Sequence, residues 1–292
     1  MKEKIIDMHS HTNYSDGELS PMELIKHAIE CGVGTIAITD HDTLNGIKSV
    51  DKNDKIIKEN NLRIINGIEL TAQPPKGTMH ILGYDIDLNN KELNDVMTTL
   101  KNSSTNRTLS IMEQIKRDYN IIFSHEDIKE LLNSNHNLGR PDLAKLCVKY
   151  GYAESVPDAF QKYLIDAYNK TLTVNKRLSY EECIKLIVGA NGIPVLAHPK
   201  TLELSKEELI ELIEQMVKCG LKGIEVYHSS HTKEEMQMYL EIANKFNLLV
   251  SGGSDFHGPK VKPTVHLGTG VDNNLNIKTL TLTNHIFSRK NN

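Results

Sequence analysis

No tryptophan occurs in the sequence, and the aromatic residues together make up only 5%. A surface built to stack single-stranded bases is therefore poorly provided for. Excess positive charge is missing too: 34 Lys and Arg face 38 Asp and Glu, a formal net charge of −4. That gives no global basic field to hold a long polynucleotide, although it leaves room for a local basic patch. No apolar run approaches the ~18 residues that a membrane helix needs. The first strand-like run, residues 5–8, begins too early to leave space for a signal peptide. The four cysteines (Cys31, Cys147, Cys183 and Cys219) form no Cys-x-x-Cys pair. They read as reduced, mostly buried thiols of a cytoplasmic protein rather than as metal ligands or disulfides.

What is present is an ordinary globular composition. The 292 residues are 39% hydrophobic and 25% charged, enough chain to bury a sizeable core. The order of elements is more telling. Residues 5–8 form a short apolar run, read as a strand. Ser20-Pro21-Met22-Glu23 has the form of a capping box with Pro at the first helical position, and Gly32 closes that helix. Residues 35–39 read as a second strand, 47–60 as one helix and 63–70 as a third strand. The next apolar run, 81–88, follows after only about ten residues, while a parallel crossover needs roughly a dozen or more. An antiparallel strand is expected there, returning from the sheet end where the third strand stops.

Residues 91–171 then read as helical throughout and are expected to form an inserted all-helical subdomain. The βα alternation resumes afterwards. Ser179, Ser205 and Thr232 each open a capping box, with Glu182, Glu208 and Glu235 three residues on. Strands are expected at 193–197, 223–227 and 248–251. Seven strands, most followed by helices, predict an α/β fold: a distorted seven-stranded (β/α) barrel formed by residues 1–90 and 172–292.

Groups able to ligate metals fall at the strand ends. His9, His11 and Asp16 follow the first strand, and Asp40-His41-Asp42 the second. Glu69 ends the third strand, and His80 opens the returning one. His198-Pro199, His228 and Ser254-Asp255-Phe256-His257 follow the last three. In a βα barrel these ends converge on one mouth. In His-x-His on an extended segment, both imidazoles lie on one side, because side chains alternate with period two. A lone His-x-His is a weak signal, and His27, His125, His136, His266 and His285 read as surface or satisfied core residues. The four strand-end clusters together predict a metal site. Their nitrogen and oxygen donors, without thiolate, suit Mn²⁺, Zn²⁺ or Fe²⁺.

The motifs Asp7-Met8-His9-Ser10-His11, Tyr14-Ser15-Asp16-Gly17 and Ile38-Thr39-Asp40-His41-Asp42 resemble the opening of the PHP (polymerase and histidinol phosphatase) superfamily. Ala197-His198-Pro199 and Gly253-Ser254-Asp255-Phe256-His257 are similar to its later motifs, so the resemblance runs along the whole chain. The length, the insert and Gly139-Arg140-Pro141 look closest to the branch of nucleoside 3′,5′-bisphosphate phosphatases and 5′-3′ oligoribonucleases. The resemblance implies two to three divalent ions, Mn foremost and Zn or Fe otherwise. One would take His9, His11, Glu69 and Asp255; a second would share Glu69 and add His80 and His198; a third would take Asp16, His41 and His257. Asp40 would orient His41 or another ligand from behind. The branch usually carries His after Gly-Arg-Pro, where Asp142 stands here.

The activity implied is removal of the 3′-phosphate from a nucleoside 3′,5′-bisphosphate by a metal-bound hydroxide. His228 or His231 would protonate the leaving oxygen or contact phosphate. Asn106, Arg107, Arg140 and Arg177 are the candidates for the second phosphate, since Arg matches phosphate with a planar fork. The alternatives are 5′-3′ exoribonuclease action on short RNA, histidinol phosphate hydrolysis and, in a different class, a non-catalytic metal or nucleotide sensor. A polymerase-linked proofreading role lacks any polymerase module. No membrane or obligate protein partner is expected.

Overall fold

The computed structural model describes residues 4–134, 136–171 and 177–290. Seven strands lie side by side in chain order: β1 (Ile5–Asp7), β2 (Val33–Ile38), β3 (Arg63–Ala72), β4 (Met79–Tyr84), β5 (Ile193–Leu196), β6 (Gly223–His228) and β7 (Leu249–Gly253). All neighbouring pairs are parallel except those of β4, which runs antiparallel to both β3 and β5. The short connection after β3 thus does what its length requires. Past its last residue β7 curls back to β1. Met8 N–H donates to Gly252 O at 3.1 Å, Asp255 N–H to His9 O at 2.9 Å and His11 N–H to Phe256 O at 2.9 Å. These bonds nearly close the sheet into a barrel.

Period-two alternation sorts the strand residues into two layers. Met8, Ala37, Ile65, Leu82, Tyr84 and Val195 pack together inside. Ile36, Ile38 and Ile64 point outward onto Leu24, Ile25 and Ala28 of the helix Pro21–Glu30. That helix begins at the predicted capping box, in which Ser20 and Glu23 bond reciprocally. Ser179, Ser205 and Thr232 cap the helices Tyr180–Gly189, Lys206–Lys218 and Lys233–Phe246 in the same way.

The structure corrects two sequence expectations and adds one element. The single helix at 47–60 is two short ones, Asn45–Lys48 and Lys55–Glu59. The Asp51-Lys52-Asn53-Asp54 stretch breaks it: Asp51 Oδ1 accepts Asn53 N–H at 2.8 Å, and Asp54 Oδ1 accepts Ile56 N–H at 2.9 Å. A closing helix, Thr281–Lys290, is added and packs Leu282 and Ile286 into the barrel core. Of the cysteines only Cys147 and Cys183 are buried; Cys31 is half-buried and Cys219 exposed.

The chain divides into two compact units, Met1–Asn94 with Arg177–Asn292, and Asp95–Lys176. The second unit is helical. Its core gathers Ile111 and Ile115 with Phe123, Leu143, Cys147 and Leu164. The helices Lys91–Tyr119, His125–Leu132 and Arg140–Lys149 supply most of it. Among the described residues, no helix is long and apolar enough to cross a membrane.

Candidate metal centre

The C-terminal ends of the parallel strands and the starting end of β4 share one rim. Alternation then decides which side chains face inward. Glu69 lies four residues beyond inward-facing Ile65 on β3, and His80 lies two residues before inward-facing Leu82 on β4. Both therefore enter the barrel mouth. His9 and His11, two apart, enter it together.

Glu69 is the hub. Its Oε2 lies 3.3 Å from His9 Nε2, 3.2 Å from His11 Nε2 and 3.2 Å from His41 Nδ1. Its Oε1 lies 3.0 Å from His80 Nδ1 and 2.9 Å from His198 Nε2. Asp255 Oδ1 is 3.2 Å from His11 Nε2 and 3.5 Å from His9 Nε2. Asp16 sits at the outer edge, with its side chain 55% exposed; His257 Nε2 is 3.2 Å and His41 Nε2 3.8 Å from its carboxylate. All nine metal-ligand candidates of the sequence thus meet in one cluster.

The charges in the cluster are out of their ordinary balance. Burial alone would raise the pKa of Glu69, but His41, His9 and His80 around it hold it well below the usual carboxylate range. Asp255 is buried too, and His9, His11 and His228 hold it down in the same sense. Burial opposes a charge on His11, yet the carboxylates of Asp255 and Glu69 push it up to about 10. At His41 burial wins and takes the imidazole down to about 3.

Several donor atoms await a partner. His9 Nε2, His11 Nε2 and His228 Nε2 are buried and make no well-formed hydrogen bond, although carboxylate oxygens stand 3.2–3.5 Å away. Buried polar atoms are almost always satisfied, and a cation among these nitrogens and carboxylates would satisfy them together. Ligand atoms within 4.8 Å of one another occur in the groups His11-Asp16-His41-His257, His9-His11-Asp255, His9-Glu69-His198 and His41-Glu69-His80. The donor set, imidazole and carboxylate without thiolate, fits divalent Mn, Zn or Fe.

Residues behind the cluster fix its geometry. Asp7 is fully buried and accepts Ser254 Oγ–H at 2.6 Å, Ser254 N–H at 2.9 Å and Gly268 N–H at 2.7 Å. It ties the Asp255 loop to β1. Gly253 permits that approach, because a Cβ there would lie 2.3 Å from His9 N. Asp40 holds the loop carrying Asp16: it accepts Thr12 N–H, Thr12 Oγ–H and Ser15 Oγ–H, each at 2.7 Å.

The sequence reading missed Glu225. It is fully buried, accepts His9 Nδ1–H at 2.9 Å through Oε1, and accepts His198 N–H at 2.8 Å through Oε2. Burial would raise it, but His9 brings it down to about 2. Three residues on, His228 faces the same cluster, with Nε2 3.4 Å from Asp255 Oδ2. Strict alternation would put residues three apart on opposite faces. The register of β6 against β7 slips between Glu225 and Tyr227, and this bulge turns both inward. The signal available in the sequence was one carboxylate inside the apolar run Gly223-Ile224-Glu225-Val226.

The remaining candidates divide between the two units. His231 is buried, donates Nδ1–H to Val226 O at 2.9 Å and packs against Tyr239. Arg177 precedes Leu178, which bridges to Ala72 at the end of β3. Asn106, Arg107 and Arg140 belong to the second unit. There Arg140 lies over the Tyr168 ring, 4.1 Å from its centroid, and 5.6 Å from that of Phe160. Asp142 stays with its own helix start: it accepts Gly139 N–H at 2.9 Å and lies 2.9 Å from His136 Nε2.

The model of the PHP domain matches residues 7–242. The chain belongs to the PHP domain family. Over 266 residues it is 32% identical to the 5′-3′ exoribonuclease Rnm of Salmonella typhimurium, covering 90% of this chain and 88% of that one. It is 27% identical over 254 residues to a 3′,5′-nucleoside bisphosphate phosphatase of Chromobacterium violaceum, covering 87% of each. A solved structure from Bifidobacterium adolescentis, described as a candidate metal-dependent phosphoesterase, shares 31% identity and a TM-score of 0.73, covering 92% of this chain and 93% of that one. As a PHP protein the chain is a metal-dependent phosphoesterase, built on the nearly closed seven-stranded barrel.

Proposed function

We propose that this PHP enzyme removes the 3′-phosphate from nucleoside 3′,5′-bisphosphates in the cytoplasm. The observation that carries the reading is the convergence of five imidazoles on the single carboxylate Glu69. A carboxylate with both oxygens so surrounded suits a bridge between ions. His9, His11, Glu69 and Asp255 would hold one ion, with Glu69, His80 and His198 holding a second. Asp16, His41 and His257 would hold a third, manganese being the first choice of metal. Bound there, such ions would supply Lewis acidity toward the phosphoryl oxygens and the means to ionise an attacking water.

The chain's own groups have separable tasks. Glu225 holds His9 by its Nδ1–H, so that Nε2 faces the centre. His228 borders the cluster, its Nδ1 2.8 Å from Ser230 Oγ, and would hand a proton to the leaving oxygen. His231 supports it from behind, ring centroids 5.1 Å apart. For the second phosphate we propose Arg140, with Asn106, Arg107 and Arg177 as further contacts, on the chemistry of guanidinium and amide donors.

A second reading is favoured by the name of the Salmonella relative: release of nucleotides from the 5′ end of short RNA. The two substrates share a 5′-phosphate and a 3′-phosphoester, so one site could serve both. The deciding experiment offers Mn²⁺-loaded protein adenosine 3′,5′-bisphosphate, 5′-AMP and a short 5′-phosphorylated RNA, with EDTA controls. EDTA-sensitive phosphate release from the bisphosphate, and none from 5′-AMP, is expected. Silence on the bisphosphate with digestion of RNA would move the assignment to the exoribonuclease, and silence on all three would leave a binding protein.

A further inference from the structure

Lys262 is a cation at the cluster that neither the motifs nor the strand ends reveal. Its Nζ lies 2.6 Å from Asp255 Oδ2, and its side chain is 37% exposed. Asp255 faces two ways. One oxygen looks onto His9 and His11, and the other onto Lys262 and His228. The ammonium thus stands one carboxylate's width from the metal-ligand candidates, on the solvent side.

A built loop delivers it there. After His257, Gly258 adopts φ 97°, and the N–H groups of Val261 and Lys262 donate back to its carbonyl at 3.2 and 2.9 Å. The preceding lysine pins the loop: Lys260 N–H donates to Glu18 Oε2 at 2.9 Å, and its Nζ pairs with Glu18 Oε1 at 2.9 Å. Glu18 N–H in turn donates to His257 O at 2.7 Å. Lys260 is therefore occupied in holding the loop, while Lys262 reaches inward.

Resting on the phosphoesterase reading, we propose that Lys262 binds a non-bridging oxygen of the phosphoryl group under attack. With divalent ions sharing the charge of Asp255, the ammonium beside it would be left able to engage another anion. A phosphoryl group arriving over the cluster supplies one. Lysine serves phosphate as a mobile point charge on a flexible stem, and this one already stands at an open edge. The competing role is that of a fixed counter-ion for Asp255. That role predicts altered metal binding and unaltered phosphate binding.

The test uses the full chain loaded with Mn²⁺, its metal content assayed, and titrates inorganic orthophosphate by calorimetry into wild type, Lys262→Gln and Lys262→Arg. The glutamine variant is expected to bind orthophosphate at least about tenfold more weakly at unchanged metal content, and the arginine variant to recover most of the loss. Orthophosphate affinity within twofold of wild type in Lys262→Gln overturns the proposal, whatever the metal content. Because the probe is orthophosphate, the result separates from turnover. Lys262-dependent binding without hydrolysis of any nucleotide would defeat the bisphosphate reading and leave the anion site standing.

Discussion

Glu225 grips two ligand-bearing residues from different strands at once, His9 through its imidazole Nδ1 at 2.9 Å and His198 through its backbone N–H at 2.8 Å. The second grip matters because His198 has left-handed backbone, φ 21°, a conformation that L-residues rarely adopt. One carboxylate therefore sets a ring tautomer on one strand and a backbone turn on another. Glu225→Gln keeps the size but can no longer accept both bonds. It should weaken Mn²⁺ binding by about 10- to 100-fold, read by metal titration, with circular dichroism confirming the fold. Wild-type affinity would reduce Glu225 to filler.

Glu69→Gln attacks the hub itself. With both carboxylate oxygens engaged by imidazoles, the amide should lose more than the roughly 100-fold expected of a residue behind the ligands. Metal analysis should find at least one ion fewer per chain. Full occupancy in this variant would show that Glu69 bridges nothing.

Arg140 distinguishes charge from shape. If its guanidinium contacts the second phosphate, Arg140→Ala should raise KM for the bisphosphate by about tenfold or more, the worth of a charged hydrogen bond, with metal content intact. Arg140→Lys keeps the charge but loses the flat stacking on Tyr168, and should not restore KM. Unchanged kinetics in both variants would leave Arg140 with its aromatic neighbours alone.

Asp142 gives a pH-dependent stability. Burial would raise its carboxyl, but the contact with His136 and the Gly139 N–H lower it below the ordinary value. A depressed folded pKa means stability that is present above the unfolded pKa near 3.9 and fades as pH falls through the lower folded value. Asp142→Ala should cost about 1 kcal/mol at pH 7, and the gap to wild type should close below about pH 4. Urea unfolding at pH 7 and pH 3 checks this; a gap that persists at pH 3 excludes the charge as its source.

Much of this molecule could be read before it was seen, for reasons that particular residues make plain. Ser20, Ser179, Ser205 and Thr232 announced their helices because a capping box is a local event. The reversed β4 followed from a connection too short for a crossover, and that placed His80 in the mouth. Glu225 escaped because a bulge, which no alternation rule anticipates, turns it inward together with His228. Lys262 escaped because its position depends on a loop pinned from Glu18, far away in sequence. The helix Thr281–Lys290 escaped because its Thr-Leu-Thr-Asn start has weak helix propensity and is held by packing.

The meeting of β1 and β7 carries a consequence for the life of the chain. Met8, His9 and His11 are bonded there to residues from Gly252 to Phe256, and the same two segments supply His9, His11, Asp255 and His257. Ions lodged among them would act as a clasp across the joint between the first strand and the last. Chelation would then unfasten a joint as well as silence a reaction. An organism starved of metal would hold an enzyme that is easier to open and easier for proteases to clear, so that its abundance, and not only its rate, would follow the metal supply.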